Sequence, residues 1–188
     1  MRLVSPNPPL ADGVVTLRPW QDEDAPAIVA AIDGDPEITA WLDEIPQPYR
    51  LVDARDYLAH CRRAWAERTG APFAILDARD ATVAGSIGAR LGDPVQAVAE
   101  IGYWIARDAR GRGFATRALR LLAGWLFDEV GLARLQLQAD LRNEASQRVA
   151  EKVGFTREGV LRSSRFHVRR GERVDVVLFS LLPGELPD

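Results

Sequence analysis

The sequence predicts a single α+β domain of three layers, helix, sheet and helix, around a mixed sheet. Three observations carry that prediction. The apolar period is helical from about residue 22 to residue 68 and then switches to strand-like alternation. In the middle of the chain a strand, a glycine-rich loop, a helix and another strand follow one another, a crossover unit whose two strands should run parallel. No internal repeat, low-complexity block or linker interrupts the 188 residues, a length near that of one domain.

The elements follow in order. Residues 1–12 are proline-rich (Pro6, Pro8, Pro9) and are expected to form an extended tail. Residues 14–17 alternate and are β-branched, a strand ended by Arg18 and Pro19. Asp22 or Asp24 caps a short helix through Asp33, with Pro26 tolerated in its first turn. A second helical piece follows Asp35 and Pro36 through Trp41 and Leu42, and Pro46 and Pro48 then break the chain. Over residues 53–68, Ala54, Tyr57, Leu58, Cys61 and Trp65 form an apolar helical stripe, ended by Thr69 and Gly70.

Residues 73–76 and 82–89 read as an antiparallel hairpin, and Gly92, Asp93 and Pro94 turn the chain into a third strand, residues 98–106. An amphipathic helix over 113–130 buries Phe114, Ala118, Leu121, Leu122 and Trp125, with Gly131 at its C-cap. A strand over 132–139, a helix over 143–153 closed by Gly154, and strands over 155–161 and 174–182 complete the chain. The predicted order is β-α-α-β-β-β-α-β-α-β-β. The domain is expected over residues 13–182, with tails 1–12 and 183–188.

Composition excludes several classes. Hydrophobic residues at 47% and charged residues at 27% fit a globular chain and argue against disorder. Cys61 stands alone, which excludes an intramolecular disulfide framework, and His60 and His167 lie far apart, so no metal is expected. Apolar runs such as residues 176–179 fall far short of the ~20 that span a bilayer. The first residues show no signal-peptide pattern, so a cytoplasmic location without a membrane is expected. A net charge of -3 argues against nucleic-acid binding.

The informative segment runs from Glu100 to Thr116. A strand ends near Ala106, and a loop holding Gly111 and Gly113 opens directly into a helix. Glycine allows a tight bend and close approach of a ligand, and a helix start presents unpaired N–H groups with a partial positive charge. Arg107, Arg110, Arg112, Arg117 and Arg120 surround it against one acid, Asp108, in a chain that is acidic overall. This reads as a phosphate-binding turn. It lacks the Gly-Lys-Ser/Thr of a Walker loop, and the third glycine of a dinucleotide fingerprint is absent.

Arg110-x-x-Gly113-x-Ala115 resembles the pyrophosphate loop of the GNAT superfamily of acyl-CoA-dependent N-acyltransferases. The strand Ala99-Glu-Ile-Gly-Tyr-Trp-Ile105 before it, and the block from Asn143-Glu-Ala-Ser146 to Gly154-Phe155, resemble that superfamily too. Arg18-Pro19 and the ending from Asp175 to Leu182 resemble its RimJ/RimL-like branch, which acetylates ribosomal-protein N-termini. The resemblance covers residues 13–182. It implies a mixed, mostly antiparallel sheet whose two central parallel strands splay apart around acetyl-CoA as co-substrate, with no metal. By the same resemblance, backbone groups of Tyr103, Trp104 and Ile105 would pair with the pantetheine arm. Backbone amides of Arg110, Gly111, Arg112, Gly113, Phe114, Ala115 and Thr116 would hold the pyrophosphate, and Asn143 and Ser146 would flank the arm.

Glu100 is the candidate general base, a single carboxylate on an otherwise apolar strand. Many relatives in the superfamily carry a tyrosine acid four residues before the Gly-Phe glycine, where this chain has Ala150. Either Ser146 substitutes, or the thiol leaves without a dedicated acid. Cys61, on the apolar stripe, is expected to pack rather than react. The expected reaction is direct acetyl transfer in a ternary complex to an amine-bearing acceptor, a peptide or protein N-terminus. A small amine such as a polyamine, aminoglycoside or antibiotic, a succinyl-CoA donor, and a silent CoA-binding regulatory domain stand as alternatives, and monomer and homodimer both remain open. Asp22, Glu23, Asp24, Asp33, Asp35, Glu37, Asp43 and Glu44, near Trp41 and Tyr49, are expected to form a carboxylate wall that attracts the amine. The resemblance also implies that the helices over 22–42 and 53–68, with a loop over 162–173, wall the acceptor site.

Overall fold

A computed structural model describes residues 3–187. Its strands are β1 (Leu10–Ala11), β2 (Val15–Pro19), β3 (Gly70–Asp77), β4 (Val83–Leu91), β5 (Val98–Ile105), β6 (Arg134–Asp140), β7 (Thr156–His167) and β8 (Glu172–Leu181). They form one sheet in the order β1-β2-β3-β4-β5-β6-β8-β7, antiparallel throughout except for β5 and β6. Helices α1 (Ala25–Ile32), α2 (Pro36–Trp41) and α3 (Leu51–Glu67) lie between β2 and β3 in the chain. Helix α4 (Phe114–Trp125) joins β5 to β6, and α5 (Glu144–Val153) joins β6 to β7.

Alternation along the strands puts helices on both faces. In β3, Phe73 and Ile75 enter a core shared with Leu119 and Leu122 of α4, whereas Ala74 and Leu76 enter a second core with Ile28 of α1 and Leu58 of α3. This is the predicted three-layer arrangement. The crossover through α4 makes β5 and β6 parallel, as expected. Their pairing runs only from Val98↔Arg134 to Ile101↔Leu137, although β5 continues to Ile105 and β6 to Asp140. Meanwhile β4 stays with β5 to Gly85↔Ile105, and β8 stays with β6 to Asp140↔Val176. Each half of the sheet therefore remains intact while a gap opens between β5 and β6. The expected splay is present.

Four elements differ from the sequence expectation. Part of the proline-rich leader lies against the domain: Leu10 and Ala11 pair with Leu17 and Thr16, and Leu3 is buried. The expectations for residues 1, 2 and 188 fall outside the described residues. Helices α1 and α2 are the two separate pieces expected there, and with α3 they make three helices where the predicted order counts two. The helix expected over 113–130 is α-helical only to Trp125; residues Leu126–Val130 form a wider π turn that buries Leu126 and Val130 before Gly131 ends it at φ 78°.

The fourth difference matters for the site. The segment expected as a loop over 162–173 is strand and tight turn, because β7 extends to His167 and β8 resumes at Glu172. Two register shifts absorb the surplus residues of β7. The second lies between Leu161 and Arg165, where Ser163 adopts φ 53° and its N–H donates to Asp175 Oδ1 at 2.8 Å. Asp175 thus fixes a bulge in the neighbouring strand.

Candidate active site

The gap between β5 and β6 leaves backbone groups without strand partners. Gly92 N–H donates to Val98 O (3.0 Å) and Ala106 N–H donates to Ala84 O (2.9 Å), so even-numbered groups of β5 face β4. Ala133 N–H donates to Ala97 O (2.8 Å), so odd-numbered groups face β6. By this alternation Tyr103 and Ile105 present their N–H and C=O groups to the gap that β6 has left, whereas Trp104 is paired with Ser86 of β4. Arg110 Nε donates to the Ile105 carbonyl at 3.1 Å.

Above the gap, Gly111 and Gly113 have φ 72° and 81°, and a Cβ added at either would meet nothing within 4 Å. The first intrahelical bond of α4 runs from Arg117 N–H to Gly113 O at 3.1 Å. The N–H groups of Phe114, Ala115 and Thr116 therefore have no helical acceptor. They open on a cavity of about 470 Å³ that runs past Tyr103 to Asn143 and Ser146. Its composition suits an extended molecule with an anionic end: a helix start at one end, a strand edge along its length.

The arginines around this turn hold the loop instead of filling the cavity. Arg110 bonds Asp35 (2.5 Å) and Glu37 (2.8 Å), which ties the loop to α2. Arg112 bonds Asp77 at 2.5 Å and lies 4.3 Å above the Phe114 ring, and it is not part of the cavity wall. Arg107 donates to the Gly34 carbonyl at 3.2 Å, and Arg117 pairs with Asp12 at 2.8 Å. What the turn offers the cavity is therefore chiefly backbone amides.

Across the gap, Asn143 caps α5, its Oδ1 accepting from Ser146 N–H at 3.0 Å. The Ser146 hydroxyl lies 3.0 Å from the Tyr103 hydroxyl. Burial pushes the Tyr103 phenol up to about 12, so at neutral pH it carries its proton. Ala150, one turn further along α5, is fully buried. The side chain of Tyr103 was not foreseen as functional from the sequence, which singled out only its backbone. Its odd position on β5, facing the helix that carries Ser146, was the available signal.

A second cavity, of about 950 Å³, lies against α3 and β4. Asp53, Asp56 and His60, spaced one face apart on α3, line it together with Glu100 and its partner Arg90, whose Nη2 lies 2.8 Å from Glu100 Oε2. The carboxylate wall expected between Asp22 and Glu44 is mostly engaged elsewhere. Asp24 is clamped by Arg18, Asp22 by Arg62, and Asp35 and Glu37 by Arg110, while Asp33 accepts from Tyr49 N–H and Asp43 from Val168 N–H. Of those eight acids only Asp43 and Glu44 line the second cavity. Tyr49 lines it too, while Trp41 lines the first cavity beneath Arg170. Cys61 reaches the wall of the second cavity, but burial pushes its thiol up to about 11, which keeps it protonated.

The two cavities share Leu42, Gly102, Tyr103, Trp104 and Arg165. A molecule in one would meet a molecule in the other beside Tyr103. Among the described residues, no group of three or more His, Cys, Asp or Glu side chains is placed to hold a metal ion. No described helix is long and apolar enough to cross a membrane.

Known proteins share this arrangement. Residues 15–156 match the acetyltransferase (GNAT) domain. The chain is 30% identical over 171 residues to the uncharacterized N-acetyltransferase p20 of Bacillus licheniformis, a match covering 91% of this chain and 94% of p20. It is 39% identical over 106 residues to YdaF of Bacillus subtilis, provisionally named a ribosomal N-acetyltransferase; that match covers 56% of this chain and 57% of YdaF, a little over half of each. The structure of Mycobacterium smegmatis RimJ in complex with CoA-disulfide superposes with a TM-score of 0.82 at 26% identity, covering 94% of this chain and 85% of RimJ. A splayed parallel pair, an amide-lined helix start above it and a family match across most of the chain agree, and the protein belongs to the GNAT family of N-acetyltransferases, with relatives in its RimJ/RimL-like branch.

Proposed function

We propose that this chain transfers an acetyl group from acetyl-CoA to the primary amine of a peptide or protein N-terminus, directly and within a ternary complex. The observation that carries this reading is the meeting of two separate cavities at Gly102, Tyr103 and Trp104. One has an amide-lined anion end and a free strand edge, and the other has a carboxylate-lined wall. The amides of Gly111, Gly113, Phe114, Ala115 and Thr116 would hold a diphosphate, with Arg110 and Arg112 bracing the loop from behind. The Tyr103 carbonyl and the Ile105 N–H would orient an amide-bearing arm beside Asn143 and Ser146, the Ile105 carbonyl being taken by Arg110. Acetyl-CoA, when bound, supplies the activated acetyl group as a thioester.

Glu100 takes the proton from the acceptor ammonium, directly or through one water, so that the nitrogen lone pair is free. The nitrogen–carbon bond then forms as the carbon–sulfur bond breaks. The Tyr103 N–H, left without a strand partner, would donate to the carbonyl oxygen as negative charge grows on it. The Tyr103–Ser146 hydroxyl pair would give the departing sulfur its proton, the role that Ala150 has no group to fill. The provisional name of YdaF favours a protein acceptor.

The test is release of free thiol from acetyl-CoA by the purified protein against a panel of short peptides with free N-termini, simple alkylamines, polyamines and aminoglycosides. Release with peptides supports the reading. Release only with polyamines or aminoglycosides moves the acceptor to small molecules, and no release with any amine overturns acyl transfer.

A further inference from the structure

Arg165 is the only charged residue among the five that line both cavities. It sits on β7 between two clamps. Upstream, the bulge at Ser163 is held by Asp175, and Arg173 Nε donates to the Ser163 carbonyl at 2.8 Å. Downstream, His167 is buried and bonds the Ala40 carbonyl through Nε2 at 2.9 Å, while Val168 N–H donates to Asp43. The backbone is thus fixed upstream of Arg165 to β8 and downstream of it to α2 and its following loop.

The guanidinium itself is poorly satisfied. Its Nη2 makes one long hydrogen bond, 3.5 Å, to the Trp41 carbonyl. Its Nε is buried with no partner, and among the described residues no carboxylate lies within ion-pair distance of it. Arginine has donors only, and a buried donor without an acceptor is costly. The neighbouring arginines of this region, Arg110 and Arg170, are by contrast each matched with carboxylates. Among the described residues Nη1 has no hydrogen-bond partner and, unlike Nε, it is not buried, so at the meeting point of the two cavities it is free to donate to an oxygen of a ligand.

We infer that Arg165 reads the acceptor, donating to the carbonyl oxygen of the residue whose α-amine is acetylated. The inference rests on the acyl-transfer reading and assigns to Arg165 the selection of α-amino-acyl acceptors over other primary amines. Such a group carries an ammonium and a carbonyl oxygen two bonds from the same α-carbon or closer. The ammonium is drawn to the side of Asp53, Asp56 and Glu100, and the carbonyl oxygen to Arg165. A polyamine or aminoglycoside offers further cations where the guanidinium stands, and like charges repel.

The experiment measures kcat/KM for the wild-type protein, Arg165→Gln and Arg165→Lys with two probes, a free-N-terminus tripeptide amide and n-propylamine, using acetyl-CoA as donor. CoA affinity by calorimetry checks that each variant is folded. Loss of a hydrogen bond from a charged donor predicts about a 10- to 100-fold fall with the tripeptide for Arg165→Gln. That fall should exceed the fall with n-propylamine by at least about tenfold, and Arg165→Lys should recover only part of it, because lysine lacks the fork. Equal falls with both probes overturn the inference while leaving acyl transfer standing. So does a wild-type preference for succinyl-CoA that Arg165→Gln abolishes, since Arg165 would then hold a distal carboxylate of the donor. Absence of thiol release from the wild-type protein with every amine overturns both readings.

Discussion

Gly113 shows how a single position ties sequence to chemistry. Its φ of 81° is one that side-chain-bearing residues avoid, and the space beside its α-carbon is empty of protein. Gly113→Ala should cost about 1 kcal/mol in stability, from the left-handed backbone alone. It should weaken CoA binding at least about tenfold by calorimetry, because the new methyl occupies the path of the diphosphate. An unchanged affinity in a folded variant would remove the anion site from this loop. Glu100→Gln should lower turnover by about 10²–10⁴-fold, most at low pH, where more of the acceptor amine is protonated. A loss smaller than about threefold from about pH 6 to about pH 9 would make Glu100 a structural partner of Arg90 and nothing more. The glycines and Glu100 were legible in the sequence, because each is a residue type out of place in its local pattern. The partners of Arg110 and Arg112 were not, since Asp35, Glu37 and Asp77 are far from them in sequence and meet them only in the fold.

At the scale of elements, caps and alternation made most of the architecture legible. Asp35 caps α2 through Glu37 N–H at 3.0 Å, and Asn143 caps α5, at the two places where the sequence starts a helix. What escaped were features decided by tertiary contact: the pairing of β1, the π turn after Trp125, and the continuation of β7 through its bulge. The individual polar residues of α3 were not singled out, for a different reason. Its apolar stripe was the stronger period, and Asp53, Asp56 and His60 lie just beside it. One short-range clamp carries a stability prediction. Arg18 grips Asp24 through two hydrogen bonds of 2.7 and 2.8 Å, fixing the end of β2 to the start of α1. Burial raises the Asp24 pKa, but the Arg18 and Gln21 N–H hydrogen bonds outweigh it and leave the pKa lowered. A lowered folded-state pKa means stabilisation that is present above the unfolded value of about 3.9 and is lost as pH falls through the folded value. Arg18→Met should therefore cost about 1–3 kcal/mol near neutral pH, with a smaller penalty at the acid end, measurable as Tm against pH. A penalty that grows on acidification would contradict this account of the clamp.

For the molecule as a whole, the sheet performs two tasks with one defect. β5 and β6 pair for four residues and then part, while β4 and β8 keep each half rigid. The gap gives one ligand a free strand edge. The second cavity reaches the same point from the α3 side, so that two molecules can meet without either first reacting with the chain. The splay was foreseeable because a glycine loop opening a crossover helix resembles a known family. That α3 and the segment 162–173 would share a site was expected from the same resemblance, but the shape of the second cavity was not, because β4 and β5 complete it and no local pattern records that meeting. Direct transfer is the central claim, and initial rates measured while acetyl-CoA and a peptide acceptor are both varied test it most directly. A ternary complex predicts double-reciprocal lines that intersect, and a chain that carries no acetyl group by mass spectrometry after incubation with acetyl-CoA alone. Parallel lines together with a stoichiometrically acetylated chain would contradict it.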